Sequence, residues 1–297
     1  MNFAKQSFGE KVFDIFNITV MIFLLVIFSW PLIFVLSASL SDPLAVATGR
    51  VWVLPVGFNL EAYREILRFN HIWIGYRNTI IYTFFGTILN IVMTICAAYP
   101  LSKKDFMPRH FFMTMFLITM YFSGGLIPTY LVVLRLGLVN TIWAMLLPSA
   151  VSFFNIIIMR TFFQTSIPTA LHEAAKLDGA NEAQILLRVV LPLSTPIMAV
   201  MALFYGVGRW NSFFDALIYL TDINRYPLQI FLRNILIRNQ VDISTVGLDV
   251  AQVAARQHLA RTIQYGVIVV ASVPVLMLYP FAQRYFVKGV MIGSIKG

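Results

Sequence analysis

Residues 167–196 read IPTALHEAAKLDGANEAQILLRVVLPLSTP, and the first half of this stretch predicts a short helix with defined ends. Ser166 can cap that helix, and Pro168 lies near its first turn, where proline is well tolerated. Residues 170–177 favour helix because alanine and other strong helix formers predominate. Gly179 then ends the helix, because glycine readily takes the left-handed conformation that follows a helix C-terminus.

The second half of the stretch predicts another short helix, at an angle to the first. Asn181 and Gln184 have the spacing of a capping box, in which each side chain bonds the backbone amide of the other residue. We expect the helix to run through Val190 and to stop before Pro192, which lacks an amide proton. The two helices together form a polar loop between apolar segments.

The surface of the first helix allows two interpretations. Alanines keep part of it small, Glu173 adds one charge, and Leu171 and Leu177 add apolar contacts. Such a helix can pack on its own protein, or it can dock closely into a groove on a partner. Composition alone does not decide between these interpretations.

The rest of the chain is dominated by apolar residues. Of 297 residues, 59% are hydrophobic and 12% are charged, and the mean hydropathy is +0.79. Soluble domains carry about 25% charged residues, so a soluble enzyme of ordinary build is excluded. Six stretches contain the roughly 20 apolar residues that a transmembrane helix needs; they are 12–40, 79–101, 111–134, 138–163, 195–220 and 263–286. We therefore predict an all-α membrane protein, with one transmembrane domain over residues 1–297 and a cytoplasmic loop at 164–194.

Positive charge orients the predicted spans. In short loops it marks the cytoplasmic side, and the loop 102–110 contains two lysines and an arginine. Placing this loop inside puts both termini and all seven lysines in the cytoplasm, although several arginines then lie outside. The small residues at 37–39 are typical of a signal-peptidase site, but the preceding apolar run is longer than that of a signal peptide. We therefore expect a retained anchor.

Two segments predicted to lie outside, 41–77 and 221–262, are long enough to have structure. In the second, apolar side chains recur at helical spacing, at positions 228, 231, 232, 235 and 236. That pattern predicts a helix with one apolar face on the outer surface of the bundle. Both segments have a slight excess of positive charge, which leaves open whether the ligand is acidic.

A motif in the loop 164–194 resembles the EAA loop of ABC importer permeases. It comprises Glu173-Ala174-Ala175, then Gly179, then Leu191-Pro192, before the penultimate span. The resemblance extends from about residue 74 to the C-terminus. Residues 210–213 (WNSF) and 283–290 are similar to the carbohydrate branch, the smaller permease of the maltose type. The tail 291–297 resembles the subgroup of lipoprotein-linked oligosaccharide and polysaccharide permeases.

The resemblance implies the ABC type I importer permease fold, with six transmembrane helices and a cytoplasmic coupling helix, surrounded by lipid in the bacterial cytoplasmic membrane. It implies three kinds of partner: a second permease that completes a heterodimer, two ATPase subunits, and an extracytoplasmic sugar-binding protein. This chain has no G-x-x-x-x-G-K-[ST] phosphate loop. By resemblance it binds no cofactor, the ATPases use ATP and Mg²⁺, and the cargo is a carbohydrate, an oligosaccharide.

The resemblance also assigns roles to residues at the cytoplasmic side. The ATPase-coupling residues are Glu173, Ala174, Ala175, Asp178, Gly179, Leu191 and Pro192. Glu173 would meet a basic residue, the alanines would allow close approach, and Gly179 would set the angle. The C-terminal tail, with Gly293, Lys296 and Gly297, is similar to one that reaches between the ATPases; a frayed terminus is the alternative.

Polar side chains in the span 195–220 are candidates for the substrate pathway, because polar groups within a membrane span are functional by default. Asn211, Ser212 and Asp215 have a helical spacing that can share a face. Trp210 and Phe214 could form a stacking surface for the C–H face of a sugar. The full set is Trp210, Asn211, Ser212, Phe214, Asp215 and Tyr219. The alternative role is helix packing and interhelical hydrogen bonding.

Other function classes have less support from the residues. A secondary transporter or channel that acts without an ATPase would need a buried relay, and Arg209 with Asp215 is a weak one. An intramembrane enzyme would need a nucleophile and a base, and no Ser/His/Asp or paired-carboxylate arrangement stands out. His172, Asp178 and Asn181 do not form a convincing metal-ligand set. No basic, aromatic-rich module indicates nucleic acid.

Overall fold

The computed structural model describes residues 7–241, 258–277, 280 and 283, and this part of the chain is helical without a β-strand. A π-helical turn, Leu186–Val190, joins two of the helices, and Ile223–Arg225 form a 3₁₀ turn. In chain order the α-helices are α1 (Phe8–Ser39), α2 (Pro43–Ala47), α3 (Glu61–Arg68), α4 (Asn70–Ser102), α5 (Arg109–Tyr121), α6 (Leu126–Arg135), α7 (Ile142–Leu146), α8 (Phe153–Ser166), α9 (Thr169–Leu177), α10 (Glu182–Ile185), α11 (Leu191–Leu193), α12 (Thr195–Trp210), α13 (Phe214–Tyr219), α14 (Leu228–Val241) and α15 (His258–Met277). The predicted all-α fold class is confirmed.

Several of the described helices could cross a membrane. By length and composition α1, α4 and α15 qualify singly, and two bent pairs bring the number to five if each pair is one span. The pairs are α5 with α6, bent by 114°, and Glu182–Leu193 with α12, bent by 82°. The predicted span 138–163 contains α7 and α8, separated by residues 147–152. The number of six spans and their direction across the membrane stay predictions.

The chain divides into two compact units, of which the first comprises residues up to Asn70 together with Leu232–Ser272. Its small core is formed by Ala38, Ala45 and Val51, with Phe34 and Tyr265 packed against them. Most of α1 lies away from this core: its 18-residue apolar window has a hydropathy of 2.7 and is 0% buried. A helix that is apolar all round and uncovered by its own chain faces lipid or a partner subunit.

The second unit comprises His71–Phe231 and residues from Val273 onward, and its core lies where α4, α8 and the α10–α12 segment meet. Ala98 of α4, Met159 of α8, Ile185 of α10 and Met201 of α12 have no exposed surface. Burying a large aliphatic side chain contributes about 1.5–3 kcal/mol. Because Ile185 belongs to the predicted loop, the second half of that loop is fixed on the same core as the apolar helices.

The segment after α13 is attached to the N-terminal half of α4. The side-chain amide of Asn78 donates to Asn224 O at 2.7 Å, and the hydroxyl of Tyr82 donates to Arg225 O at 2.7 Å. Gly75 allows α14 to approach, because a Cβ there would lie 2.9 Å from the Cα of Leu228. The predicted helix in this segment is confirmed, and its apolar positions 228, 231 and 232 are buried.

Candidate functional site

The motif glutamate lies on α9, which packs on the described part of the chain only through half-buried residues, Ala175 among them. None of its residues is buried; Glu173 is exposed, and Leu177 is 89% exposed. The prediction that Ser166 caps this helix is wrong, because Ser166 is the last residue of α8 and Pro168 stands at the N-cap without a side-chain bond. An exposed charge beside an exposed leucine gives α9 the chemistry of a contact surface.

Gly179 ends this helix as the sequence predicted. Its φ is +78°, and its amide donates to Lys176 O at 3.0 Å, while the next amide, of Ala180, donates to Ala175 O at 3.0 Å. A Cβ on Gly179 would meet no heavy atom within 4 Å. The position therefore requires glycine for its backbone conformation alone, because residues with a Cβ atom disfavour a positive φ.

The second loop helix begins with the predicted capping box. Asn181 Oδ1 accepts from the Gln184 amide at 2.8 Å, and Gln184 Oε1 accepts from the Asn181 amide at 2.9 Å. The prediction that the helix stops before Pro192 is wrong, because helical turns continue through Leu193. The π-helical turn before Pro192 explains this difference, since a wider turn can accommodate the missing amide proton of proline.

Glu182, at the start of α10, contacts both α9 and the end of α4, and it was not identified from the sequence. Its Oε2 accepts from the hydroxyl of Tyr99 at 2.7 Å and lies 3.3 Å from Lys103 Nζ. Its Oε1 lies 3.1 Å from Lys176 Nζ, on α9. The ammonium of Lys103 also lies 4.7 Å from the ring centre of Tyr99. We call Tyr99, Lys103, Lys176 and Glu182 the loop network; it connects α9 and α10 to the end of α4.

The charges in the loop network shift the titration of its members. Hydrogen bonding from Tyr99 and the two ammonium groups lower the pKa of Glu182 to about 2, so it is ionised throughout the physiological range. Burial lowers the pKa of Lys103 more than the Glu182 carboxylate raises it. Burial, with the charge of Lys103, also lowers the pKa of His172, which keeps that imidazole neutral at pH 7.

Two clefts lie beside the loop network. A cleft of about 470 Å³ is lined by the four network residues together with Phe106. A second, of about 720 Å³, lies between residues 102–109, the end of α8 and α9, and includes His172 and Glu173 among its lining residues. Glu173 therefore borders an open cleft on the surface that would meet a partner.

The pathway candidates do not lie on one continuous helix. α12 ends at Trp210 and α13 begins at Phe214, so the helical face expected for Asn211, Ser212 and Asp215 is wrong. Side chains that bond their own backbone explain the break: Asn211 donates to Val207 O at 3.0 Å and Ser212 to Arg209 O at 2.8 Å. Polar side chains of this kind compete with helix continuation.

The six candidates fall into two groups by exposure. Trp210 and Tyr219 are 6% and 3% exposed and pack in the protein, Trp210 against Tyr76 with ring centres 6.3 Å apart. Asn211 and Phe214 are exposed, and Ser212 and Asp215 are intermediate. Phe214 meets the neighbouring Phe213 rather than extending the Trp210 ring contact. The exposed group can face a pathway, whereas the buried group supports the helices.

Arg209 occupies a neutral environment. Its guanidinium is 6% exposed and bonds the side chain of Asn90 and three backbone carbonyls. Within the described residues, no carboxylate lies at ion-pair distance from Arg209, and Asp215 acts on it only as a more distant charge. Sequence analysis identified Arg209 but missed Asn90, whose polarity inside an apolar span was the available signal.

Part of the predicted site lies outside the described residues. The tail residues Gly293, Lys296 and Gly297 and the end of the span 263–286 are in this group. Their assignments stay predictions.

The chain is similar to two curated proteins of Bacillus subtilis (strain 168) over most of its length. It is 39% identical over 291 residues to the polygalacturonan/rhamnogalacturonan transport system permease protein YtcP, and the aligned region covers 97% of this chain and 99% of that protein. It is 39% identical over 287 residues to protein LplC, with 97% and 96% covered. No family model matches the chain.

A solved structure has the same fold. It is the crystal structure of a bacterial ABC transporter involved in the import of the acidic polysaccharide alginate, and one of its chains matches with a TM-score of 0.83 and 34% identity. The match covers 95% of this chain and 99% of that chain.

Proposed function

Because this chain belongs to the family of permease subunits of ABC importers for oligosaccharides and polysaccharides, we propose that α9 is the helix through which ATP hydrolysis drives its transport. The chain is the transmembrane subunit of an ATP-driven carbohydrate importer in the cytoplasmic membrane. This function replaces the alternative of a secondary transporter or channel without an ATPase.

The exposure of α9 carries the proposal. Helices that serve their own fold bury an apolar face, yet no residue of α9 is buried and Leu177 projects 89% exposed. Glu173 stands on this helix beside small alanines, which allow a partner backbone to approach closely. A groove with a basic residue on an ATPase would match both features, and the loop network would hold α9 in position to receive it.

The same proposal defines the division of labour in the complex. Two ATPase subunits bind ATP and Mg²⁺, a second permease completes a heterodimeric pathway, and an extracytoplasmic binding protein delivers the sugar. This chain supplies pathway and coupling surface but no catalytic group. Both termini lie in the cytoplasm, where the tail with Gly293, Lys296 and Gly297 can reach the ATPases. The exposed pathway candidates, Asn211 and Phe214, face the cargo.

The matched test of coupling compares two exposed glutamates. Glu173→Ala is expected to lower sugar uptake per ATP hydrolysed by about tenfold, the factor for one lost charge contact at an interface. Glu61→Ala, on α3, removes an exposed carboxylate far along the chain and is expected to leave that ratio unchanged. Uptake and phosphate release are measured together in proteoliposomes that contain the whole importer. Normal coupling in Glu173→Ala would overturn the assignment.

We further propose that the cargo is an oligosaccharide of acidic sugars. Support comes from the relatives: one is named for polygalacturonan and rhamnogalacturonan, and the solved transporter imports the acidic polysaccharide alginate. Oligogalacturonate and its carboxyl-reduced, neutral form differ at C6 of each sugar, where a carboxylate is replaced by a hydroxymethyl group. Titrating the cognate binding protein with both is expected to give tight binding of the acidic form only. Preference for the neutral form would reject an acidic cargo without affecting the coupling assignment.

A further inference from the structure

In two apolar segments of the second unit the helix is broken. The side chain of Arg209, which lies next to one break, bonds the backbone at the other. In 138–163, α7 ends at Leu146 and α8 begins at Phe153; in 195–220, α12 ends at Trp210 and α13 begins at Phe214. A helix break within a membrane exposes backbone carbonyls that need other donors. Arg209, in the last turn of α12, supplies donors to the first break.

The guanidinium of Arg209 bonds the end of α7 through both terminal nitrogens. Nη1 donates to Met145 O, and Nη2 donates to Leu146 O at 2.9 Å and to Ser149 O at 3.1 Å. These carbonyls belong to the last turn of α7 and the residues that follow, which lack the amide partners of a continuing helix. One side chain from α12 thus supplies hydrogen-bond donors to the free carbonyls at the end of α7.

Asn90, on α4, completes this arrangement. Its Oδ1 accepts from Arg209 Nε at 3.0 Å and Nη2 at 2.8 Å, while its Nδ2 donates to Ser149 O at 2.6 Å. Asn90 is 1% exposed. Gly86, one turn earlier, makes room for the arginine, because a Cβ there would lie 2.9 Å from its Nε and 3.1 Å from its Cδ. We call Gly86, Asn90 and Arg209 the arginine latch.

The helices on the two sides of the breaks pack in separate groups. α7 packs with α13, and the loop between α6 and α7 joins the same group, because the Asn140 amide donates to Tyr219 O at 2.8 Å. α8 packs with α12, in the core that also contains Met159 and Met201. The arginine latch lies at the junction, since Arg209 belongs to one group and its carbonyl partners belong to the other.

We propose that the arginine latch is a positioning device that stabilises this conformation of the permease and must loosen when the transporter switches. The proposal rests on the ATP-driven function given above. A two-state equilibrium moves only by the difference in free energy between its states, so a weaker latch favours departure from this conformation. We take this conformation to be the one that the importer adopts without cargo, so weakening the latch should raise ATP hydrolysis in the absence of cargo.

A pair of glycines allows this to be tested without removing the arginine. Gly86→Ala displaces Arg209, whereas Gly208→Ala, on α12 beside it, adds a Cβ with no heavy atom within 4 Å. Arg209→Lys keeps the charge and loses the fork of donors. Each variant is assembled into the whole importer, and ATP hydrolysis without binding protein is measured per folded complex, together with uptake of oligogalacturonate.

We expect Gly86→Ala and Arg209→Lys to raise hydrolysis without cargo roughly tenfold, the factor for one lost charge-assisted hydrogen bond, while Gly208→Ala matches the wild type. A merely structural role predicts a smaller folded fraction, with hydrolysis per folded complex at the wild-type level. Unchanged hydrolysis per folded complex in Gly86→Ala would therefore overturn the latch. Glu173→Ala in the same assay separates the two proposals, because it tests coupling with the latch intact.

Discussion

The loop network and the arginine latch both connect α4 to a distant part of the chain, but by different physics. The side chain of Glu182 is 53% exposed and stands between two ammonium groups. Arg209 is 6% exposed and has only neutral partners at bonding distance within the described residues. Exposed ion pairs contribute about 0–1 kcal/mol, whereas removing one partner of a buried charge costs several times more.

This difference assigns different mechanical properties to two positions on the same helix, Asn90 and Tyr99 of α4. Near the predicted ATPase surface, the loop network can rearrange at small cost, because water compensates any charge that separates. Within the predicted membrane region, the arginine latch rearranges only at a larger cost, because each lost bond leaves a buried carbonyl or charge without a partner. The comparison predicts adjustable contacts near α9 and a well-defined conformation near Asn90.

The largest expected effect is on the arginine latch itself. Arg209→Met leaves the carbonyls of Met145 and Leu146 and the side-chain oxygen of Asn90 without the donors that Arg209 supplies, and we expect it to lower the free energy of unfolding by about 3–5 kcal/mol. Arg135→Met, at an exposed site on α6, is the matched control and should stay near the wild type. Thermal unfolding of the purified importer in detergent measures both. Equal stability of the two variants would contradict the claim that the buried arginine stabilises the fold more than an exposed one.

A smaller effect is expected at the connection between α9 and α10. Gly179→Val forces a branched residue into a positive φ and should cost about 1–2 kcal/mol locally, with loss of coupling. Gly179→Asn tolerates that conformation better and should retain most of the uptake per ATP. Because no atom lies within 4 Å of the added Cβ, steric contact does not contribute. Similar losses in both variants would contradict a purely conformational role.

Breaking the loop network should have a smaller effect on stability. Glu182→Gln removes the charge that attracts Lys103 and Lys176 and keeps an acceptor for Tyr99, so we expect a loss of at most about 1 kcal/mol. Spin labels on Leu177→Cys should nevertheless become more mobile, because α9 loses its ion pair. A loss of unfolding free energy as large as that of Arg209→Met would show that the loop network contributes as much stability as the arginine latch.

The smallest effect is the dependence of the loop network on pH. The pKa of Glu182 is about 2 in the folded protein and 4.5 ordinarily, so its carboxylate stabilises the fold above pH 4.5. This contribution is lost as the pH falls from about 4.5 to 2. The label on Leu177→Cys should therefore gain mobility over that interval in the wild type. In a Glu182→Gln background, mobility should already be high and change less.

Local patterns in the sequence predicted the local structure well. Gly179, the pair Asn181 and Gln184, and the helix from position 228 were all identified from spacing, since caps and glycine ends depend on neighbours within four residues. The long-range pairs were not identified. Tyr99 and Glu182 are 83 residues apart, and Asn90 and Arg209 are 119 apart. Their contacts depend on how whole helices pack, which hydrophobic periodicity does not encode.

The breaks at 147–152 and 211–213 were missed for a related reason. Averaged hydropathy records that each segment is apolar as a whole and does not resolve a short polar or proline-containing stretch within it. The first break contains Pro148, which lacks an amide proton and was the available local signal, and Arg209 bonds the carbonyls that this break leaves free. The second break carried a local signal, because Asn211 and Ser212 side chains bond the preceding carbonyls.

The uncovered surface of α1 has a consequence for biosynthesis. Only the last turns of this helix pack on later segments, and its long apolar stretch is exposed, so we expect it to gain most of its free energy of insertion from the bilayer. It can therefore leave the translocon as an independent helix while the ribosome is still making α4. The buried polar groups of Asn90 and Arg209 find each other only after both helices have been synthesised. We therefore expect α1 to insert independently, and the segments that share the arginine to reach their final packing together.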